Sequence, residues 1–144
     1  MNITPQMTFI EFKSIKFVLA SQPNSINISS YIKELLQYNT HAIVKVCESN
    51  YNVATFSMMG ITVKELIFAD GTFPSSAIID KWIEFVANYF DNYRDSALAV
   101  HCQSGLGRSA VLIAIAFIEC GLEKPRVIDI IRKIYLLMCT EPTH

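Results

Sequence analysis

Apolar positions in this chain fall into short runs and helical stripes that take turns. Thr8–Phe12 carries Phe9, Ile10 and Phe12, and Lys16–Ala20 carries Phe17, Val18 and Leu19; two short runs with a brief link predict a hairpin. Pro23 opens an Asn/Ser-rich loop that runs to Ser30, and Ser29 or Ser30 is placed to cap a helix bearing Ile32, Leu35 and Leu36 that ends near Asn39. Ala42–Cys47 is a β-branched run and predicts a strand. Residues 48–56 are polar and irregular, with room for a short helical turn, and Gly60 precedes a further strand over Ile61–Phe68. After a loop over Ala69–Pro74, Ser75 caps a helix whose Ile78, Ile79, Trp82, Phe85, Val86, Tyr89 and Phe90 share one face. Such an aromatic stripe is read as core packing.

The last third is the most regular. Ala97–Val100 is a continuous apolar run, the pattern of a buried strand, and Ser109–Cys120 is apolar on nearly every side, the pattern of a buried helix closed by Gly121. Pro125 suits the first turn of a final helix over Arg126 to about Met138. Strands alternating with helices predict an α/β fold, a central mostly parallel sheet flanked by helices, in one domain spanning residues 1–144.

Composition narrows the function classes. Of 144 residues 51% are hydrophobic and 17% charged, which is globular rather than disordered. The formal net charge of −1 gives no broad basic field for nucleic acid, so any anion recognition is local. The four cysteines, Cys47, Cys102, Cys120 and Cys139, have no zinc-like spacing, and no His/carboxylate cluster has ligand spacing, so neither a metal nor a cofactor is expected. With no secretory signal at the start of the sequence, a reducing cytoplasmic setting is the expectation. The apolar run Ala110–Ile118 is nine residues, too short to span a bilayer.

The strongest chemistry lies between that buried strand and that buried helix, in His101-Cys102-Gln103-Ser104-Gly105-Leu106-Gly107-Arg108-Ser109. A glycine-containing turn entering a helix gathers backbone N–H groups and the positive end of a helix dipole, which together cradle an anion. Gln103, Ser104, Gly105, Leu106 and Gly107 would supply that cradle, and the planar fork of Arg108 would grip two phosphate oxygens. The same field favours the thiolate of Cys102 at the base of the loop, a nucleophile aimed at phosphorus. Asp70, beside Gly71 in a loop after a strand, is the best placed general acid, though an Asp-Gly pair also suits a plain turn. Ser109 either begins the helix or serves the chemistry. Cys47 closes a strand expected to neighbour the one before Cys102, so it is either a core cysteine or within disulfide range of the nucleophile.

His-Cys-x-x-Gly-x-x-Arg-Ser resembles the signature of cysteine-dependent protein tyrosine and dual-specificity phosphatases, and the fuller similarity is to the phosphatase-of-regenerating-liver family. Ile43–Glu48, Phe68–Gly71 and Ile79–Trp82 resemble segments of that family in the same order, and the similarity covers most of residues 8–134. It implies the dual-specificity-phosphatase-like fold and hydrolysis of phosphotyrosine, with phosphoserine or phosphothreonine as further substrates, through a phosphocysteine. It implies Cys102 as nucleophile, Arg108 as phosphate clamp, Asp70 as acid and His101 as a support that holds the loop. It also implies Cys47 as a reversible redox partner that shields Cys102.

Two departures alter the expectation. The resembled family typically has Ala after the arginine, and Ser109 implies a faster second step here. The fourth residue from the end is Glu141 with no basic cluster before it, so no prenyl anchor is expected. The substrate expected is a phosphoprotein, without nucleic acid as partner; oligomeric state is not legible. Two rival readings are carried: a binding module that docks a membrane-transporter regulator on the active-site face, and an RNA 5′-triphosphatase, which the neutral charge and lack of a basic aromatic groove disfavour.

Overall fold

The structure, a computed structural model, describes residues 7–103 and 107–139. β1 (Met7–Phe12) and β2 (Ile15–Ala20) form the expected antiparallel hairpin, joined by Lys13 and Ser14, with Lys13 at φ +56°. Then follow α1 (Ile28–Gln37), β3 (Ala42–Lys45), α2 (Val53–Met58), β4 (Thr62–Glu65), α3 (Ser76–Asn92), β5 (Leu98–His101), α4 (Gly107–Glu119) and α5 (Lys124–Cys139). The sheet order is β1-β2-β5-β3-β4, antiparallel at β1/β2 and parallel at every other pairing. This is the mostly parallel α/β sheet that the strand–helix alternation predicts.

Strand periodicity divides the core between the two faces of the sheet. Phe17, Leu19, Val44, Leu98 and Val100 join one cluster with Trp82, Leu112 and Phe117 of α3 and α4. Their strand neighbours Val18, Ala20, Ile43 and Ala99 join another with Tyr31 and Leu35 of α1 and Phe56 of α2. The aromatic stripe of α3 is core packing: Trp82 is fully buried, and its indole N–H donates to the Leu112 carbonyl at 2.6 Å. Tyr89, also on that stripe, ties three elements, its hydroxyl donating to the Ala97 carbonyl at 2.7 Å and accepting from the His41 N–H at 2.9 Å. Burial pushes its pKa up to about 12.

Several boundaries differ from expectation, each for a local reason. The cap of α1 is Asn27, not Ser29 or Ser30. Asn24 and Asn27 fold into a reciprocal turn: the Asn24 Oδ1 accepts from the N–H groups of Ile26 and Asn27, and the Asn27 Oδ1 accepts from Asn24 N–H, all within 2.9 Å. That turn starts the helix before either serine. α1 ends at Gln37 because Asn39 takes a left-handed conformation (φ +57°), with Asn39 and Thr40 N–H groups donating to the Leu36 and Leu35 carbonyls. The short turn expected within 48–56 is a true helix, α2, displaced toward Met58 and capped by the Asn52 Oδ1 on Ala54 N–H at 3.0 Å. β3 and β4 are shorter than the runs that predict them. α4 begins at Gly107, two residues before Ser109, and α5 begins at Lys124. The Ser75 cap stands, its Oγ accepting from Ile78 N–H at 3.3 Å, and Gly121 closes α4 at φ +97°. No helix among the described residues is long and apolar enough to cross a membrane.

Candidate active site

The parallel strands point their carboxyl ends to one edge, where ligands of open α/β sheets bind. β5 lies in the middle, paired with β2 on one side and β3 on the other, and all four of its residues are buried. Cys102 follows directly, 1% exposed, at the floor of this edge. Gln103 and Gly107 are exposed. Ser104, Gly105 and Leu106, expected in the phosphate cradle, lie outside the described residues.

Arg108 stands in the first turn of α4, at its N-terminal, electropositive end. Its Nη1 donates to the Phe68 carbonyl at 3.1 Å, and its Nε lies 3.7 Å from an Asp70 carboxylate oxygen. One side chain thus joins the helix that follows Cys102 to the loop that follows β4. Asp70 itself is 80% exposed, against 12% for Arg108. The loop turns sharply after it: Gly71 has φ +77°, a conformation that disfavours a side chain, and Thr72 N–H donates back to the Ala69 carbonyl at 3.2 Å. The structure therefore brings together Cys102, Arg108 and Asp70, which are far apart in the chain, at one edge of the sheet.

Ser109 lies inside the first turn of α4 and not at its cap. It is fully buried, and its Oγ has no hydrogen-bond partner among the described residues. A buried hydroxyl without a partner is a costly arrangement that a site with a transient charge can use.

His101 points to the opposite face of the sheet from Cys102, as strand alternation requires. It is fully buried, and its Nε2 meets the Tyr51 hydroxyl at 2.8 Å. Burial lowers its pKa to about 4, with the nearby Lys45 charge acting in the same direction and the Cys102 backbone acting against both. His101 is thus neutral at pH 7. Tyr51 keeps its proton as well, burial pushing its pKa up to about 12.

Cys47 is a free thiol, 1% exposed, with its Sγ 3.5 Å from the Gln22 Oε1. Val46 N–H donates to the His101 carbonyl at 3.1 Å, so Val46 takes the register place beside Cys102 and Cys47 lies one residue further on. Burial raises the Cys47 pKa, the Arg108 guanidinium lowers it, the Cys102 sulfur raises it and Lys45 lowers it.

Three residues of this edge escape the sequence reading: Gln22, Lys45 and Tyr51. Lys45 is 6% exposed, donates to Ser49 Oγ at 3.2 Å, pairs with Glu65 at 3.5 Å and stands over the Tyr51 ring. A lysine inside the apolar run Ala42–Cys47 is a signal that could have found it, since a buried lysine needs partners. Gln22 and Tyr51 sit in polar stretches without periodicity and carry no such mark.

Comparisons with known proteins agree with this geometry. Residues 18–122 match a family described as "Polymorphic toxin system, DSP-PTPase phosphatase". The chain is 40% identical over 131 residues to the PRL-1 phosphatase of Drosophila melanogaster, covering 91% of this chain and 74% of that protein. It is 35% identical over 129 residues to the protein tyrosine phosphatase type IVA 3 of Bos taurus, covering 90% and 75%. A solved structure described as a protein tyrosine phosphatase from Leishmania major superimposes with a TM-score of 0.79 at 27% identity, over 88% of this chain and 87% of the other. By these matches the chain belongs to the DSP-PTPase phosphatases and to the PRL or type IVA protein tyrosine phosphatases.

Proposed function

We propose that this protein tyrosine phosphatase hydrolyses phosphotyrosine, with phosphoserine and phosphothreonine as further substrates, through a phosphocysteine on Cys102, within a single domain and in a reducing, cytoplasmic setting. The observation that carries the proposal is the Arg108 bridge, 3.1 Å to the Phe68 carbonyl and 3.7 Å to Asp70, which holds a phosphate-gripping fork and a proton donor at the same edge as the buried cysteine. The Cys102 thiolate attacks phosphorus as the phosphate–oxygen ester bond breaks, and Asp70 gives its proton to the departing oxygen. Arg108 and the amides of residues 103–108 hold the three non-bridging oxygens as their charge develops. Asp70, now ionised, takes a proton from water, whose oxygen attacks the phosphocysteine and releases phosphate and thiolate. Ser109, buried in the first turn of α4, donates a hydrogen bond to the leaving sulfur. This departs from the slow second step implied by alanine at that place.

His101 positions the loop from beneath through Tyr51. Cys47 is the redox partner: peroxide oxidises Cys102 to a sulfenic acid, and condensation with the Cys47 thiol forms the disulfide and releases water. The strand register supports this, with Cys47 one residue beyond Val46, the neighbour of Cys102 across the sheet.

The test compares wild type, Cys102→Ser and Asp70→Ala on a small aryl phosphate, a phosphotyrosine peptide and triphosphate-ended RNA. Turnover of the first two, lost in Cys102→Ser, is expected. Negligible wild-type turnover with partner capture intact would replace the enzyme by a binding module, and preference for the RNA would replace the substrate class. Mass spectrometry after mild peroxide should find a Cys47–Cys102 link; a sulfonic acid on Cys102 with Cys47 still free removes the redox role.

A further inference from the structure

A cavity of about 480 Å³ opens at the same sheet edge, between the loop after β2 and the N-terminus of α2. It adjoins the reaction centre through two of its walls. Gln22 accepts from the Cys47 thiol at 3.5 Å, and the Tyr51 hydroxyl meets Nε2 of His101, the residue before the nucleophile, at 2.8 Å. Gln22, Asn24, Asn50 and Asn52 line it, and none of the described residues lining it is charged. Its volume lies within the range of small-ligand sites, about 300–1,000 Å³.

Two of these amides are fixed by the fold. The Asn24 Oδ1 accepts from the N–H groups of Ile26 and Asn27 at 2.9 and 2.8 Å, and the Asn52 Oδ1 accepts from Ala54 N–H at 3.0 Å. Because a carboxamide is planar, fixing its oxygen fixes its NH₂ as well. Neither Nδ2 has a partner among the described residues. Two residues lining the cavity thus carry N–H donors held in fixed planes, and none of its described lining residues is a cation. A phosphate or carboxylate would find no charge here to replace its water, whereas a peptide carbonyl needs a neutral donor only.

We propose that this cavity is a substrate subsite that receives the main chain beside the phosphorylated residue, through carbonyl groups hydrogen-bonded to the Asn24 and Asn52 amides. This rests on the protein-phosphatase reading above and names what its substrate must offer, an accessible uncharged polypeptide segment next to the phosphate. The subsite sets substrate choice and takes no part in bond breaking.

The double variant Asn24→Asp/Asn52→Asp tests it. Aspartate keeps each accepting oxygen, so both turns persist, and it removes each donor. The probes are a small aryl phosphate, phosphotyrosine amide, and phosphotyrosine peptides with one to four uncharged flanking residues, assayed at high ionic strength to screen the added charges. Wild type should gain about tenfold in kcat/KM from the amide to the longer peptides, mainly through KM. The variant should lose that gain and turn over aryl phosphate within about twofold of wild type. Equal loss on aryl phosphate and peptide, or a flank-length gain kept by the variant, overturns the subsite and leaves the phosphatase reading standing. A wild type that turns over aryl phosphate but no phosphopeptide overturns both.

Discussion

On one flank of Cys102 the site is ionic and open, with Arg108 reaching across to an Asp70 that is 80% exposed. On the other its inner groups are neutral and buried, His101 on Tyr51 and the Cys47 thiol on Gln22. The difference fits the roles proposed for each flank. A proton donor must meet substrate and solvent in turn, so it rides on an exposed turn. The support beneath a nucleophile must keep its position, which buried uncharged groups do without the desolvation that buried ions carry.

The contrast can be broken from either flank. Cys102→Ser should lower aryl-phosphate turnover by at least about a thousandfold, because the hydroxyl stays protonated where a thiolate is needed; steady-state kinetics read it. Asp70→Asn, on the ionic flank, should cost about a hundredfold in kcat with phosphate binding little changed, as a lost general acid does. The neutral flank should respond to acid instead. His101 titrates near 4 in the folded chain against 6.5 ordinarily, so the unfolded state takes up the proton first as pH falls. Stability should be level above pH 6.5, fall by about 2–3 kcal/mol down to pH 4, and level off below that as far as this group is concerned. Urea melts of wild type against His101→Gln isolate that slope, which the variant should lack.

Tyr51→Phe should cost about 1 kcal/mol by leaving the buried Nε2 without its partner, and should alter kcat far less than Asp70→Asn does. Glu65→Gln should cost about 0.5 kcal/mol, since Glu65 is exposed and Lys45 keeps Ser49. If Tyr51→Phe instead matched Asp70→Asn in kcat, the division into a reacting flank and a holding flank would be wrong.

The ionic flank was legible in the sequence; of the neutral one, His101 and Cys47 were marked, but their partners Tyr51 and Gln22 were not. Cys102, Arg108 and Asp70 are marked by residue type between a strand and a helix, and that context is read from apolar runs as long as Ser109–Cys120. The hairpin, the Ser75 cap and the Gly121 stop rest on equally local chemistry. α2 has only six residues, less than two full turns, so periodicity could not declare it. With α2 unplaced, the polar stretch around Tyr51 had no orientation, and its hydrogen bond to a histidine fifty positions away was invisible. The α1 boundary moved because Asn24 and Asn27 bond each other, a pairing that competes with serine capping and depends on how the loop folds. Likewise, α4 reaches back to Gly107, a residue whose low helix propensity argued for loop.

Because β5 is hydrogen-bonded along both sides and buried at all four positions, its amides should be among the last in the protein to exchange with deuterium. Cys102, the proposed nucleophile, is thus moored to the segment that lets go only when everything does. Fraying of the outer hairpin or of α5 can come and go on its own clock, and the sulfur keeps its address throughout.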